Sequence, residues 1–274
     1  MNNKIKIFVA THKKAKLYGD SCYRFIHVGA DLHPEVYIDA ALKDNENSDN
    51  ISAKNDIYCE LTGLYYLWKH VNDIDYIGFV HYRRFLAHRH FALQPNNIIL
   101  KEQDYLNLLN KVDVVLTPPT KKYGERCGYF TIKEDIPEFC FYRLVKPSIA
   151  RLFPEYLEAF EQEFITPTMS YGNIMACKKT LFNEYCEWLF AILFDVEQNL
   201  RNSPFNVSAR EMGYFSEYLL NVWMRKKQLT VAYKPVCFIN KRETLIDKVR
   251  IYMQAMGLQI IVAGAEKIYA KFRK

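Results

Sequence analysis

Asp75-Tyr76-Ile77-Gly78-Phe79-Val80 runs without a break into His81-Tyr82-Arg83-Arg84-Phe85. After Asp75, the five residues Tyr76–Val80 form a short apolar run, the pattern of a strand buried on both faces. The next five place an imidazole, a phenol and two guanidinium groups at its carboxyl end. Working outward, Ile5–Ala10 (IKIFVA), Arg24–Gly29 (RFIHVG), Val112–Leu116, Asn173–Cys177 and Leu229–Val236 read as further strands. Helical periodicity marks Ile57–Val71, where Leu61, Leu64, Tyr65, Trp68 and Val71 share one face. Asp104–Asn110, Pro154–Phe164, Lys179–Phe194 and Ser208–Lys226 also read as helices, and Asp44–Asn55 as a polar loop. Strands separated by helices predict an α/β sandwich with a largely parallel central sheet. Ligands of such sheets collect at the carboxyl ends of strands. That rule singles out Thr11-His12-Lys13, His81–Arg84 and Thr117–Pro119.

The chain has 274 residues, half of them hydrophobic and a quarter charged, enough for one large domain with its own core. Seven cysteines occur without a CxxC, which leaves zinc-ribbon and dithiol-redox readings unsupported and implies a reducing compartment. Lys4 and Lys6 interrupt any secretory h-region, and no run approaches the roughly 20 apolar residues of a membrane span. The expected location is therefore cytoplasmic. Eight Lys/Arg against three Asp/Glu fall in residues 241–274, so this tail carries +5 of the net +6. The body, residues 1–240, is nearly neutral and has no nucleic-acid-binding motif, which argues against a nucleic-acid partner. In the tail, Leu245, Val249, Tyr252, Met253, Met256 and Ile260 can share a helical face ahead of Lys267, Lys271, Arg273 and Lys274. Such a helix suits peripheral contact with an anionic inner leaflet, each basic residue contributing about 1 kcal/mol. Docking on the domain or on a second subunit is the competing explanation.

The arginine forks of Arg83 and Arg84 match phosphate oxygens in a bidentate way, so the strand tip is a candidate diphosphate grip. A solvated turn is the plainer alternative. The loop Asp49-Asn50-Ile51-Ser52-Ala53-Lys54-Asn55 is rich in turn-capping side chains, and its ordinary role would be to start the following helix. Lys69 at that helix's end complements the dipole.

The segments Asn50–Asn55, Tyr58–Lys69 and Gly78–Phe85 together resemble a bacterial family first catalogued as a domain of unknown function in capsule and O-antigen gene clusters, and since tied to galactofuranosyltransferases. Two later blocks, Tyr171–Met175 with Phe182–Phe190 and Arg210–Leu220, are similar to the same family. The resemblance runs from about Ile5 to Asn240 in the family's order. It implies a GT-A-like nucleotide-binding sandwich and an inverting glycosyltransferase. The donor implied is a UDP-sugar, with UDP-galactofuranose the best guess, and the acceptor a glycan or lipid-linked glycan of lipopolysaccharide or capsule biosynthesis. A UDP-pyranose donor, or a non-catalytic nucleotide-sugar-binding or glycan-binding protein, are the alternatives.

Carried over by position, the resemblance assigns donor binding to Thr11, His12, Lys13, Asp49, Asn50, Ser52, Lys54, Asn55, His81 and Tyr82. It assigns acceptor binding to Gly172 and Asn173. Arg83 and Arg84 would neutralise the leaving diphosphate. Inversion needs a base for the acceptor hydroxyl. Glu217 is the first choice, with Glu211, Glu134 and Asp135 behind it and a helix-face ion pair as the competing role. No metal or other cofactor is expected: a divalent Mn or Mg would want a strand-end DxD, whereas Asp73-Ile74-Asp75 precedes its strand. The long irregular stretch from Lys121 to Pro137 suits a lid or binding loop.

Overall fold

A computed structural model describes residues 4–90, 92, 94–121, 140–200 and 210–239. The expected tail, most of the proposed lid and the candidates Glu134 and Asp135 lie outside the described residues.

Eleven strands are described: β1 (Ile5–Thr11), β2 (Tyr23–His27), β3 (Leu42–Lys43), β4 (Tyr76–His81), β5 (Arg84–Leu86), β6 (Val114–Leu116), β7 (Thr120–Lys121), β8 (Thr168–Met169), β9 (Met175–Lys178), β10 (Val231–Tyr233) and β11 (Val236–Phe238). The helices are α1 (Asn55–Tyr58), α2 (Leu61–His70), α3 (Glu102–Leu109), α4 (Cys140–Leu152), α5 (Leu157–Ile165), α6 (Lys179–Leu200) and α7 (Glu211–Lys227). The main sheet runs β10-β6-β9-β4-β1-β2-β3. Every neighbouring pair along it is parallel except the two made by β9, which is antiparallel to both β4 and β6. β5 folds back antiparallel on β4 through the Tyr82-Arg83 turn and pairs β11. The sheet is thus mixed but largely parallel, as the alternation of elements predicts.

The central strands are apolar on both faces because both faces are covered. Phe8, Ala10, Ile77 and Phe79 point into one core with α2, α4, α5, α6 and α7, while Ile7, Val9 and Val80 point into a second core with α3 and the β5 segment. Burying one such side chain contributes roughly 1.5–3 kcal/mol, so the β1–β4 pair is a firm platform for whatever sits on its tip. Gly78 is required inside it: a Cβ there would come 2.4 Å from Ile7 Cδ1.

Three local expectations need correction. The helix expected over Ile57–Val71 is two helices, α1 and α2, because Cys59 breaks it with φ 52° and ψ −130°. The strand expected over Leu229–Val236 is two short ones, β10 and β11, on either side of Pro235. The alternation pattern also misses α4, whose internal Pro147 reads as a helix breaker.

Candidate active site

The carboxyl ends of β1 and β4 lie side by side, with Ala10 in register with His81. Beyond β1, the buried Thr11 hydroxyl donates to the Lys13 carbonyl and accepts from the Lys13 amide, a tight hydroxyl-closed turn that throws His12 and Lys13 outward. Beyond β4, the hairpin exposes Arg83 and Arg84. The two tips meet around the Tyr82 ring: Lys13 Nζ lies 5.4 Å and the Arg83 guanidinium 5.1 Å from its centroid, and the His12 ring meets it edge-on at 5.6 Å. Neither Arg83 nor Arg84 has a carboxylate partner among the described residues. His12 is open to solvent, yet partial desolvation, then the charges of Lys13, His33, Arg83 and Arg210, hold its pKa below the ordinary imidazole value. A cationic patch that pairs with no carboxylate among the described residues is therefore built where the sheet presents its ligand edge.

Next to this patch stands a buried polar hub. His81, on the helix-covered face of β4, lies with its Nε2 3.8 Å from Glu60 Oε1, both side chains less than one-fifth exposed. Burial first, and the Arg84 and Arg83 charges after it, lower the His81 pKa against the opposing pull of Glu60 and a hydrogen bond to the Gly172 backbone. Asn173 Nδ2 donates to Glu60 Oε1 at 2.9 Å and to Ser216 Oγ at 2.9 Å. Ser216 Oγ in turn donates to the Gly213 carbonyl at 2.7 Å. The Arg210 guanidinium bonds the Cys59 thiol, which burial and the adjacent Glu60 charge push above its ordinary pKa.

The backbone around this hub is unusual. Cys59 (φ 52°), Asn173 (φ 51°) and Arg210 (φ 85°) are three of five non-glycine residues with positive φ among those described, and Gly172 (φ 93°) adjoins them. Each such non-glycine residue costs on the order of 1–3 kcal/mol and persists only where its surroundings over-determine it. Helix α7 approaches closely enough at Gly213 that a Cβ there would sit 3.4 Å from Cys59 Cβ.

The polar loop ahead of α2 is occupied within the fold. Asp49 accepts from Tyr65 Oη at 2.7 Å and faces Lys69 Nζ at 3.9 Å. Asn50 Oδ1 accepts from the Ser52 amide, a local turn. Ser52 is buried and donates to Asp44, whose carboxylate also takes the Gly29 and Ala30 amides. Lys54 pairs with Glu197 at 2.8 Å, and Asn55 Nδ2 bonds the Cys59 carbonyl and Thr62. The loop therefore fixes the β2 tip and the α1–α2 break.

Glu217 is half-buried on α7, on the i, i+4 stripe of Gly213 and Asn221, residues that bond Asn173 and Ser170. Asp73 and Asp75 bond Lys4 at the amino end of β4, the edge opposite His81. Among the described residues no cluster of three His, Cys, Asp or Glu could hold a metal ion. The residues that sequence reading passed over are Arg210, Cys59 and Ser216, and Glu60 was read only as part of a helix. Their one visible signal is a lone acidic residue ahead of the apolar run of α2.

Residues 6–228 match the family described as a domain of unknown function, DUF4422. The chain belongs to this family. A solved structure titled as the apo structure of WbbM, a bifunctional glycosyltransferase, is similar to it. The TM-score is 0.74 at 26% identity, covering 87% of this chain. The chain spans 46%, about half, of that protein's length. No curated protein matches. The expected α/β glycosyltransferase sandwich is thus the fold found, while the tie to galactofuranosyltransferases goes beyond what the match supports.

Proposed function

We propose that this chain is a glycosyltransferase that moves a sugar from a nucleoside diphosphate donor onto a glycan hydroxyl. The observation that carries the reading is the cationic patch of Lys13, Arg83 and Arg84 at the β1 and β4 tips, which has no carboxylate partner among the described residues. It is joined to a rigid carboxylate–imidazole hub on a fold shared with a glycosyltransferase. In this reading the diphosphate lies against Lys13, Arg83, Arg84 and Arg210, which neutralise the charge that develops as it departs. His12, His81 and Tyr82 line that seat, and Thr11 holds its loop. Asp49, Asn50, Ser52, Lys54 and Asn55 support the donor side through the contacts described above. Gly172 and Asn173 face the acceptor.

The finer reading is an inverting transfer with UDP-galactofuranose as donor and a lipid-linked or oligosaccharide acceptor of capsule or O-antigen synthesis. Inversion by single displacement requires a carboxylate base. Glu60 ahead of α2 is part of the hub, and α7, which supplies Ser216 and Gly213 to it, also carries Glu211 and Glu217. No helix among the described residues is long and apolar enough to cross a membrane. Peripheral contact with a lipid-linked acceptor would fall to the basic segment 241–274. The purified chain, offered a panel of UDP-sugars with and without glycan acceptors, is expected to release UDP in an acceptor-stimulated way. No release with any donor would leave a binding protein of the same pathway as the better account.

A further inference from the structure

Glu60 is held in a manner that the structural role of a helix-start residue does not require. Its Oε1 is taken by Asn173 Nδ2 at 2.9 Å and lies 3.8 Å from His81 Nε2. Its Oε2 has no protein donor among the described residues. The turn that delivers it is Cys59, in a backbone region that L residues rarely adopt, and the residue that grips it is Asn173, also at positive φ. Three other carboxylates of this region are committed within the fold. Asp44 is fully buried under two backbone amides and Ser52, Asp49 is bound by Tyr65, and Glu197 is bound by Lys54 and Tyr58. Strain of this kind, concentrated on one carboxylate with one oxygen anchored and the other open, is how a fold aims a reacting group.

We infer that Glu60 is the catalytic base of the proposed transfer, accepting the acceptor hydroxyl's proton on Oε2. The inference rests on the transferase reading above. As the acceptor oxygen bonds the anomeric carbon, its proton passes to Glu60 and the bond from that carbon to the diphosphate oxygen breaks. The electron pair leaves on the nucleoside diphosphate, against Arg83 and Arg84. Asn173 is a positioning residue: it fixes the carboxylate so that Oε2 faces outward. His81 from β4, Arg84 from β5, and Arg210 and Cys59 on the α7 and α1 sides are the titratable and charged groups around Glu60.

Glu60→Gln preserves shape and the Asn173 contact but cannot take a proton. With UDP-sugar and acceptor, it is expected to lower kcat by about 10²–10⁴-fold. UDP affinity measured by calorimetry should stay within about twofold, and the acid limb of the wild-type pH–rate profile should vanish. Glu60→Asp keeps the charge but retracts it. It should recover part of the rate together with the acid limb, and it serves as the working variant if the Gln protein does not fold. Wild-type turnover in Glu60→Gln, or an intact acid limb in a slowed variant, overturns the assignment. So does loss of that limb in Glu217→Gln with Glu60→Gln unimpaired. Absence of UDP release by the wild-type chain with every donor overturns the transferase reading and this inference with it, and is distinguishable because no variant is then needed.

Discussion

Removing the Asn173 amide should cost stability and activity by separate amounts that two substitutions can divide. Nδ2 makes a charge-assisted bond to Glu60 at 2.9 Å, a bond to Ser216 at 2.9 Å and a weak one to Gly213 O at 3.4 Å. A bond to a charged group is worth about 1.5–3 kcal/mol and a neutral one about 0.5–1.5 kcal/mol. Against this, Asn173 Oδ1 is buried without a partner among the described residues, and deleting it returns part of that sum. A loss of about 1–2 kcal/mol remains for Asn173→Gly. Asn173→Ala adds the cost of a Cβ at φ 51°, about 1–2 kcal/mol, less what glycine loses through its freer unfolded chain. The Ala variant should therefore be the less stable by up to about 1 kcal/mol, a reversal of the usual order. Urea unfolding followed by tryptophan fluorescence measures both; Trp188 and Trp223 are buried reporters in the helix-covered core. A wild-type midpoint in both variants, or a Gly variant below the Ala one, would refute the view that Asn173 is a strained clamp on Glu60.

Three further outcomes follow from the same geometry. Arg83→Ala and Arg84→Ala should each weaken UDP binding by about 10–100-fold in calorimetry, the loss of a charge-assisted bond, with thermal stability little changed because both side chains are exposed. UDP binding near neutral pH should take up protons. His12 is held below its ordinary pKa by desolvation and neighbouring cations, an incoming diphosphate reverses that balance, and affinity must then rise as pH falls. Calorimetry in buffers of different ionisation enthalpy reads the uptake, and proton release would contradict it. His27 is buried, neither ring nitrogen has a partner among the described residues, and burial lowers its pKa. The unfolded chain then binds the extra proton first, so the His27 contribution is lost as pH falls from about 6.5. His27→Gln should flatten that part of the stability curve, and an unchanged curve would count against it.

How much of this was legible in the chain divides by distance. β1, β4 and β6 were readable because strands covered on both faces are apolar over nearly their whole length, and His81–Arg84 was readable because it continues such a run. The Cys59 break was hidden: Tyr58, Leu61, Leu64 and Tyr65 all reach the core whether or not the helix is interrupted. Helix α4 was masked by Pro147. The hub was not legible at all, since Glu60 and Asn173 are 113 residues apart and meet only through the antiparallel insertion of β9 beside β4. The internal contacts of the polar loop were equally hidden: Asp49, Ser52 and Lys54 find their partners in Tyr65, Asp44 and Glu197, and the last of these is 143 residues away in the chain.

A crystal structure with UDP bound tests the central claim most directly. The diphosphate should lie within hydrogen-bonding reach of Arg83 and Lys13 at the β1–β4 tips, with Glu60 Oε2 open toward the space beyond it. Nucleotide bound instead in the pocket lined by Arg143, Arg151 and Asp195 between α4 and α6 would contradict the account.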